Sequence, residues 1–202
     1  MARPAAYDRD EIVAKALKLF WRKGYQATSL KDLEQALDMR PGSIYAAFGS
    51  KEGLFAETLD AYAARSTAAF AETMAAAPSP LAGLAAHARA LGCLDDSAPS
   101  RACMLVKTVL ETPDDDPALR RQAEAAIAAI EAAFADGFRA AQEAGEIAPS
   151  ADPAHLASRL QSQIFGLRAY AQRTDAGPRV AALAEDIARE IEGLANSDDA
   201  EA

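Results

Sequence analysis

Apolar residues return at intervals of three and four along most of this chain, the period of helices with one buried side. Ile12, Ala16, Leu19 and Phe20 form the first such series. Asp8 with Glu11 gives it a capping-box-like start, and Gly24, a frequent residue just past a helix end, closes it after about Lys23. Thr28 or Ser29 caps a short second helix that turns Leu30, Leu33 and Leu37 inward. Asp38-Met39-Arg40 is a turn. Pro41 then suits the first position of a third helix, where its missing N–H would be unpaired anyway. That helix carries Ile44, Tyr45 and Phe48 and ends at Gly49, after which Ser50 caps a long helix from Lys51 towards Ala77.

Pro78-Ser79-Pro80 breaks the pattern, and a fifth helix runs to about Leu94. Asp95 to Ser100 is a polar loop, residues 101–111 a compact apolar helix, and Thr112 to Pro117 an acidic turn. A seventh helix, about Ala118 to Ala144, lines up Leu119, Ala123, Ile127, Ile130, Phe134, Phe138 and Ala141. Asp152 with Pro153 starts an eighth, with Leu156, Leu160, Ile164, Leu167 and Ala171 on one side. Pro178 starts a ninth, with Val180, Leu183, Ile187, Ile191 and Leu194. Asn196 to Ala202 is a polar stretch expected to fray, with residues 197–202 as a flexible tail. The pattern predicts an all-α fold.

Composition agrees: the chain is 50% hydrophobic over 202 residues and rich in alanine, so a helical core needs no metal or disulfide. No apolar run approaches the roughly 20 residues that span a bilayer. Met-Ala-Arg-Pro leads into charged residues rather than an apolar signal segment, so a soluble, cytoplasmic protein without membrane partners is expected. Cys93 and Cys103 give neither a zinc spacing nor a disulfide framework. The net charge of -9 looks wrong for a nucleic-acid binder. Residues 1–60, however, carry nine Lys/Arg and nine Asp/Glu, and residues 61–202 twelve against twenty-one, so the later region supplies all the acidity. The first region is free to present a basic patch.

A helix-turn-helix needs two short helices packed by a few apolar residues around a tight turn, the second leaving its outer side free for the major groove. Residues 28–48 meet that need, with Leu30, Leu33, Leu37, Ile44 and Phe48 as the packing set. Arg40, Gly42, Ser43, Tyr45, Ala46 and Ala47 lie on or near the candidate reading surface. Arg3 and Arg9 form either a minor-groove arm or a soluble end. No Ser/His/Asp set, Gly-rich phosphate loop or metal spacing is visible, and His87 and His155 are the only histidines. An enzyme is not expected, nor a cofactor or metal. A helical protein-interaction module without DNA binding is the alternative reading of the pattern.

The run Thr28-Ser29-Leu30-Lys31-Asp32-Leu33, followed by Gly42-Ser43-Ile44-Tyr45-Ala46-Ala47-Phe48-Gly49-Ser50-Lys51-Glu52-Gly53-Leu54-Phe55, closely resembles the TetR family of regulators. Ala16-Leu17-Lys18-Leu19-Phe20, Lys23-Gly24-Tyr25 and Ala27-Thr28 match as well, so the resemblance covers about residues 9–56 without a gap. It implies a helix-turn-helix domain over residues 1–50 and a helical effector-binding and dimerisation domain over 51–196. It also implies a regulator, usually a repressor, that binds palindromic double-stranded DNA as a homodimer and is released by a small-molecule effector. Thr28, Tyr45 and Lys51 match positions that touch DNA phosphate or backbone, and Gly42 and Ser43 positions close to the bases. Arg40-Pro41 departs from the Ser or Thr that often caps the family's recognition helix; Arg40 is free to reach phosphate or a guanine edge instead.

The resemblance further implies that the helices near 153–174 and 178–195 form the dimer interface. A symmetric dimer would place two recognition helices about one DNA turn, roughly 34–36 Å, apart. Helices four to eight would enclose the effector. His87, Cys103, Lys107, Phe134 and Phe165 are the leading candidates to line that pocket, with Phe70, Met74, Leu91, Met104 and Phe138 behind them. Lys107 is placed to meet an anion or to extend into solvent. The segment Cys103 to Glu111 resembles a sixth-helix stretch in a TetR subgroup, some of whose members sense electrophiles. On a continuous helix Lys107 would lie one turn from Cys103 and lower its thiol pKa; the bland reading is an inert buried thiol.

Overall fold

The computed structural model describes residues 8–93, 99–112 and 117–196. These form nine helices: α1 (Arg9–Lys23), α2 (Leu30–Leu37), α3 (Pro41–Phe48), α4 (Lys51–Ala76), α5 (Pro80–Gly92), α6 (Met104–Glu111), α7 (Pro117–Glu143), α8 (Pro153–Tyr170) and α9 (Gly177–Glu192). Among the described residues there is no strand. A single antiparallel bridge, Ile147 to Ala195, is reinforced by the Asn196 N–H donating to the Glu146 carbonyl at 2.9 Å. The all-α expectation holds. Arg3, the tail at 197–202, and parts of the expected loops at 94–98 and 113–116 lie outside the described residues.

The chain divides into two compact units, Met1–Arg65 with Met104–Ala126, and Ser66–Cys103 with Ile127–Ala202. This division is drawn differently from a boundary at residue 50. The first unit takes in the start of α4, all of α6 and the start of α7 alongside the three short helices.

In the first unit, the Asp8 carboxylate accepts from the Asp10 and Glu11 N–H groups, and Gly24, at φ 85°, ends α1 with its N–H on the Phe20 carbonyl. Phe20 is buried and meets Phe55 of α4 edge-on at 4.9 Å between ring centroids. Leu33, Leu37, Ile44, Leu54 and Leu59 are buried with them. Each such side chain contributes about 1.5–3 kcal/mol on leaving water, and that burial holds together helices too short to persist alone. Gln122 of α7 donates to the Ala56 carbonyl (3.0 Å) and to Asp60 (2.7 Å) of α4.

In the second unit, α5 lies along α9. A Cβ on Gly92 would stand 2.6 Å from the Ala184 Cβ and 3.1 Å from the Ala181 Cα, so the glycine permits the approach. Arg89 fixes the register by pairing with Glu185 and Glu192, each at 2.7 Å. Phe70, Leu84, Phe134, Phe138, Leu160, Val180 and Ile191 belong to one buried cluster. Truncating a buried Phe of this kind to Ala costs about 3–5 kcal/mol.

One expectation is corrected. The sixth helix begins at Met104, not at residue 101. The Ala102 N–H is bonded to the Ser100 hydroxyl, and a turned Gln172 amide accepts from the Arg101 and Ala102 N–H groups, so these residues do not enter the helix and Cys103 stands before it. The apolar side of α9 is largely internal: Val180, Ile187 and Ile191 are buried in one cluster with residues of α5, while Leu183 is 39% exposed. On α8, Ala154, Ser158, Ser162 and Gly166 are exposed at four-residue spacing, hence on one face.

Candidate nucleic-acid interface

The two short helices α2 and α3 are joined by Asp38, which takes a left-handed conformation (φ 53°), and by Met39, which is buried. Asp tolerates that conformation better than most residues. Pro41 opens α3 as expected. Arg40 stands at its N-cap without a side-chain capping bond and is exposed, leaving its guanidinium unengaged by the helix it precedes. Only Ile44 and Phe48 of α3 are buried. Gly42, Ala46 and Ala47 are exposed, Tyr45 is 43% exposed and Ser43 is half-buried. A Cβ on Gly42 would meet nothing within 4 Å, so the first turn of α3 has an open side. That is the surface a recognition helix must keep clear.

The end of α3 is tightly built. Gly49, at φ 75°, returns its N–H to the Tyr45 carbonyl, and the Ser50 hydroxyl accepts from the Gly53 N–H at 2.9 Å, starting α4. A Cβ on Gly53 would lie 2.3 Å from the Phe48 carbonyl oxygen, so α4 leaves α3 at a closeness only glycine allows. Lys51 emerges between them, half-buried, with its ammonium 4.4 Å from the centroid of the Tyr25 ring. Burial pushes the Lys51 ammonium below its ordinary pKa, while the nearby Asp32 charge pulls the other way.

Asp32 organises the start of α2. Its carboxylate accepts from the Ser29 N–H and hydroxyl (2.8 and 2.7 Å), while the Asp32 N–H bonds back to the Ser29 hydroxyl at 3.2 Å. Lys23 of α1 pairs with it at 2.8 Å. The bonds from Lys23 and then Ser29 hold the Asp32 carboxyl well below the usual carboxylate range. The sequence signal for this was the Ser-x-x-Asp capping box. Its role in gathering Lys23 was not read from the sequence.

Thr28 is corrected. It is 1% exposed and donates its hydroxyl hydrogen to the Gly24 carbonyl at 2.7 Å, so it is a core residue and Ser29 is the exposed cap. Arg9 is no arm. Its guanidinium engages both Glu57 carboxylate oxygens, donates to the Ala47 carbonyl at 2.9 Å and lies 4.5 Å from the Phe48 ring centroid.

The candidate effector residues divide between the two units. In the second, His87 meets Phe70 edge-on at 5.0 Å and Phe134 at 5.6 Å. Burial among these rings, assisted by the Arg168 charge, pushes the imidazole down to about 4, so it is neutral at pH 7. Phe165 is half-buried on α8. Lys107 belongs instead to the first unit, paired with Glu111 at 3.8 Å and bordering, with Phe20, Gly24, Tyr25 and Phe55, a space of about 10 Å³. That holds one water at most. Neither unit assembles all five residues into one pocket. Cys103 is half-buried, and Cys93 exposed. A shallow groove of about 310 Å³ runs between α7 and α8, lined by Ala128, Ala132, Ala135, Ala154, Ala157 and Glu131; the sequence reading missed it.

Among the described residues no group of three His, Cys, Asp or Glu side chains is placed to hold a metal, and no helix is long and apolar enough to cross a membrane. Residues 12–58 match the family described as bacterial regulatory proteins, tetR family, and residues 81–187 match the tetracyclin repressor-like, C-terminal domain. The chain is 33% identical over 167 residues to the HTH-type transcriptional repressor ComR of Escherichia coli (strain K12), covering 82% of this chain and 80% of that protein. It is similar to a cysteine mutant of the TetR family transcriptional regulator CifR complexed with 26-bp double-strand operator DNA. The TM-score is 0.84 at 33% identity, over 93% of this chain and 98% of that one. A TetR-family regulator from Cytophaga hutchinsonii shares the fold, with a TM-score of 0.84 at 23% identity over 94% and 96% of the two chains. The chain belongs to the TetR family of bacterial transcriptional regulators, which are not enzymes.

Proposed function

We propose that this protein is a transcriptional repressor that binds a palindromic operator as a homodimer and leaves it when a small effector binds. The observation that carries the reading is α3: it lends only Ile44 and Phe48 to the core and keeps Arg40, Gly42, Tyr45, Ala46 and Ala47 outward. In this reading α3 enters the major groove, Arg40, Gly42 and Ser43 face base edges, and Tyr45 and Lys51 hold the backbone. Thr28 acts only by fixing the entry to α2. The repressor named ComR and the operator complex of CifR support the choice of DNA as partner.

Dimerisation uses the exposed small-residue face of α8 with Leu183 of α9, and pairs two otherwise weak recognition helices. The effector enters the second unit near His87 and Phe134, a largely apolar setting with one neutral imidazole as hydrogen-bonding group, and Phe165 of α8 is a further candidate to meet it. Cys103 is a second route of response, by modification of its thiol; replacing it with Ala should abolish a response to electrophiles in a reporter assay, and an unchanged response removes it from the scheme.

A mobility shift with the DNA upstream of the protein's own gene tests the whole reading. A specific shift that weakens as salt rises is expected. Absence of a shift at every salt concentration supports the protein-interaction module instead.

A further inference from the structure

The geometry points to Arg9 as a positioning residue for the recognition helix, one that sets sequence discrimination without touching DNA. The inference rests on α3 being the reading element. Three groups converge on this one guanidinium. Its Nε donates to Glu57 of α4 at 3.1 Å, with a second nitrogen on the other carboxylate oxygen. Its Nη1 donates to the Ala47 carbonyl in the last turn of α3 at 2.9 Å. Its Cζ lies 4.5 Å from the ring centroid of Phe48, one of only two buried side chains that α3 has.

The contact matters because α3 is otherwise thinly held. It is eight residues long, and its N-cap contributes no side-chain bond. The last carbonyls of a helix lack intrahelical donors, and a cation there also suits the helix dipole. Arg9 supplies both, and ties that end to α1, where it is the first residue, and to α4 through Glu57. A planar fork can serve a carboxylate, a carbonyl and a ring at once, which a single ammonium cannot. Base readout depends on angles as much as on contacts, so a helix free to tilt loses discrimination before it loses phosphate contacts. Three of its five N–H donors are taken up inside the protein, so on this inference its loss leaves the count of phosphate contacts, and hence the salt slope, unchanged.

The test compares wild type, Arg9→Lys and Arg9→Ala on two duplexes: one enriched from a randomised pool by the wild-type chain, and one of scrambled sequence. Binding is measured across a salt series at a temperature where circular dichroism shows each variant folded. The ratio of specific to scrambled affinity is expected to fall about tenfold in both variants, with scrambled-DNA affinity within twofold of wild type and the salt slope unchanged. A ratio kept within twofold in Arg9→Lys overturns the inference. So does a salt slope lower by about one, the mark of a lost phosphate contact. Should Arg9→Ala fail to fold, Arg9→Lys, which keeps the charge, decides alone. If the wild-type chain enriches no sequence at all, the DNA-binding reading fails, a result distinct from either of these.

Discussion

The Lys51 ammonium stands over the Tyr25 ring, 4.4 Å from its centroid, and this pairing aims the first cation of α4. A lysine at a helix N-terminus opposes the dipole and would ordinarily be a poor choice. The ring and the nearby Asp32 charge favour the ammonium there, while partial burial works against it. Lys51→Ala should weaken binding to all DNA sequences about equally and lower the salt slope by about one. Tyr25→Leu keeps the charge but removes a contact worth about 0.5–1 kcal/mol. It should weaken binding only a few-fold, with the slope intact. Fluorescence anisotropy across a salt series separates the two.

Gly42 and Gly53 should respond in opposite ways to alanine. Gly42 has open space around it and lies inside α3, so Gly42→Ala should raise stability by about 0.5–1 kcal/mol while impairing operator binding, because the added methyl occupies the reading surface. Gly53→Ala would set a Cβ 2.3 Å from the Phe48 carbonyl. The junction must then open, at about 1–3 kcal/mol. Thermal melts of both variants check the signs.

His87 makes stability depend on pH. Its folded pKa of about 4 lies below the unfolded value near 6.5, so the unfolded chain binds the extra proton between those pH values. Stability is therefore full above about pH 6.5 and falls as the pH drops towards 4, by roughly 3 kcal/mol from this group. His87→Leu should flatten that part of the curve. Urea midpoints between pH 7 and 4.5 provide the measurement.

The outward face of α8 gives a test of the dimer that leaves the fold alone. Nothing lies within 4 Å of a Cβ on Gly166 in the single chain, so Gly166→Arg should leave the melt unchanged or slightly raised. If α8 pairs with its symmetry mate, the same change should produce monomers in sedimentation and abolish operator binding. A dimer that persists places the interface elsewhere.

The helices were legible because period and punctuation agree. Gly24, Pro41, Gly49 and Ser50 each fall where the structure ends or begins an element. The charge split also kept residues 1–60 open to DNA despite the acidic total. What was not legible depended on tertiary neighbours. Thr28 and Ser29 are equal as caps on paper, and only the inward turn of Thr28 to the Gly24 carbonyl separates them. Residues 101–103 look helical until Gln172, some seventy residues on, accepts from the Arg101 and Ala102 N–H groups. Arg9 looks like a loose terminal cation, since its partners Glu57, Ala47 and Phe48 are all some forty residues away.

Selection from a fully randomised duplex pool by the wild-type chain, followed by sequencing, addresses the reading role of α3 most directly. The expected result is enrichment of an inverted repeat whose half-sites are about one helical turn, 10–10.5 base pairs, or a multiple of that apart. Repeating the selection with Ser43→Asn should change the preferred bases while preserving the spacing. A pool that stays unenriched with wild type, or a preference unaltered by Ser43→Asn and by Arg40→Ala, would contradict α3 as the reading helix.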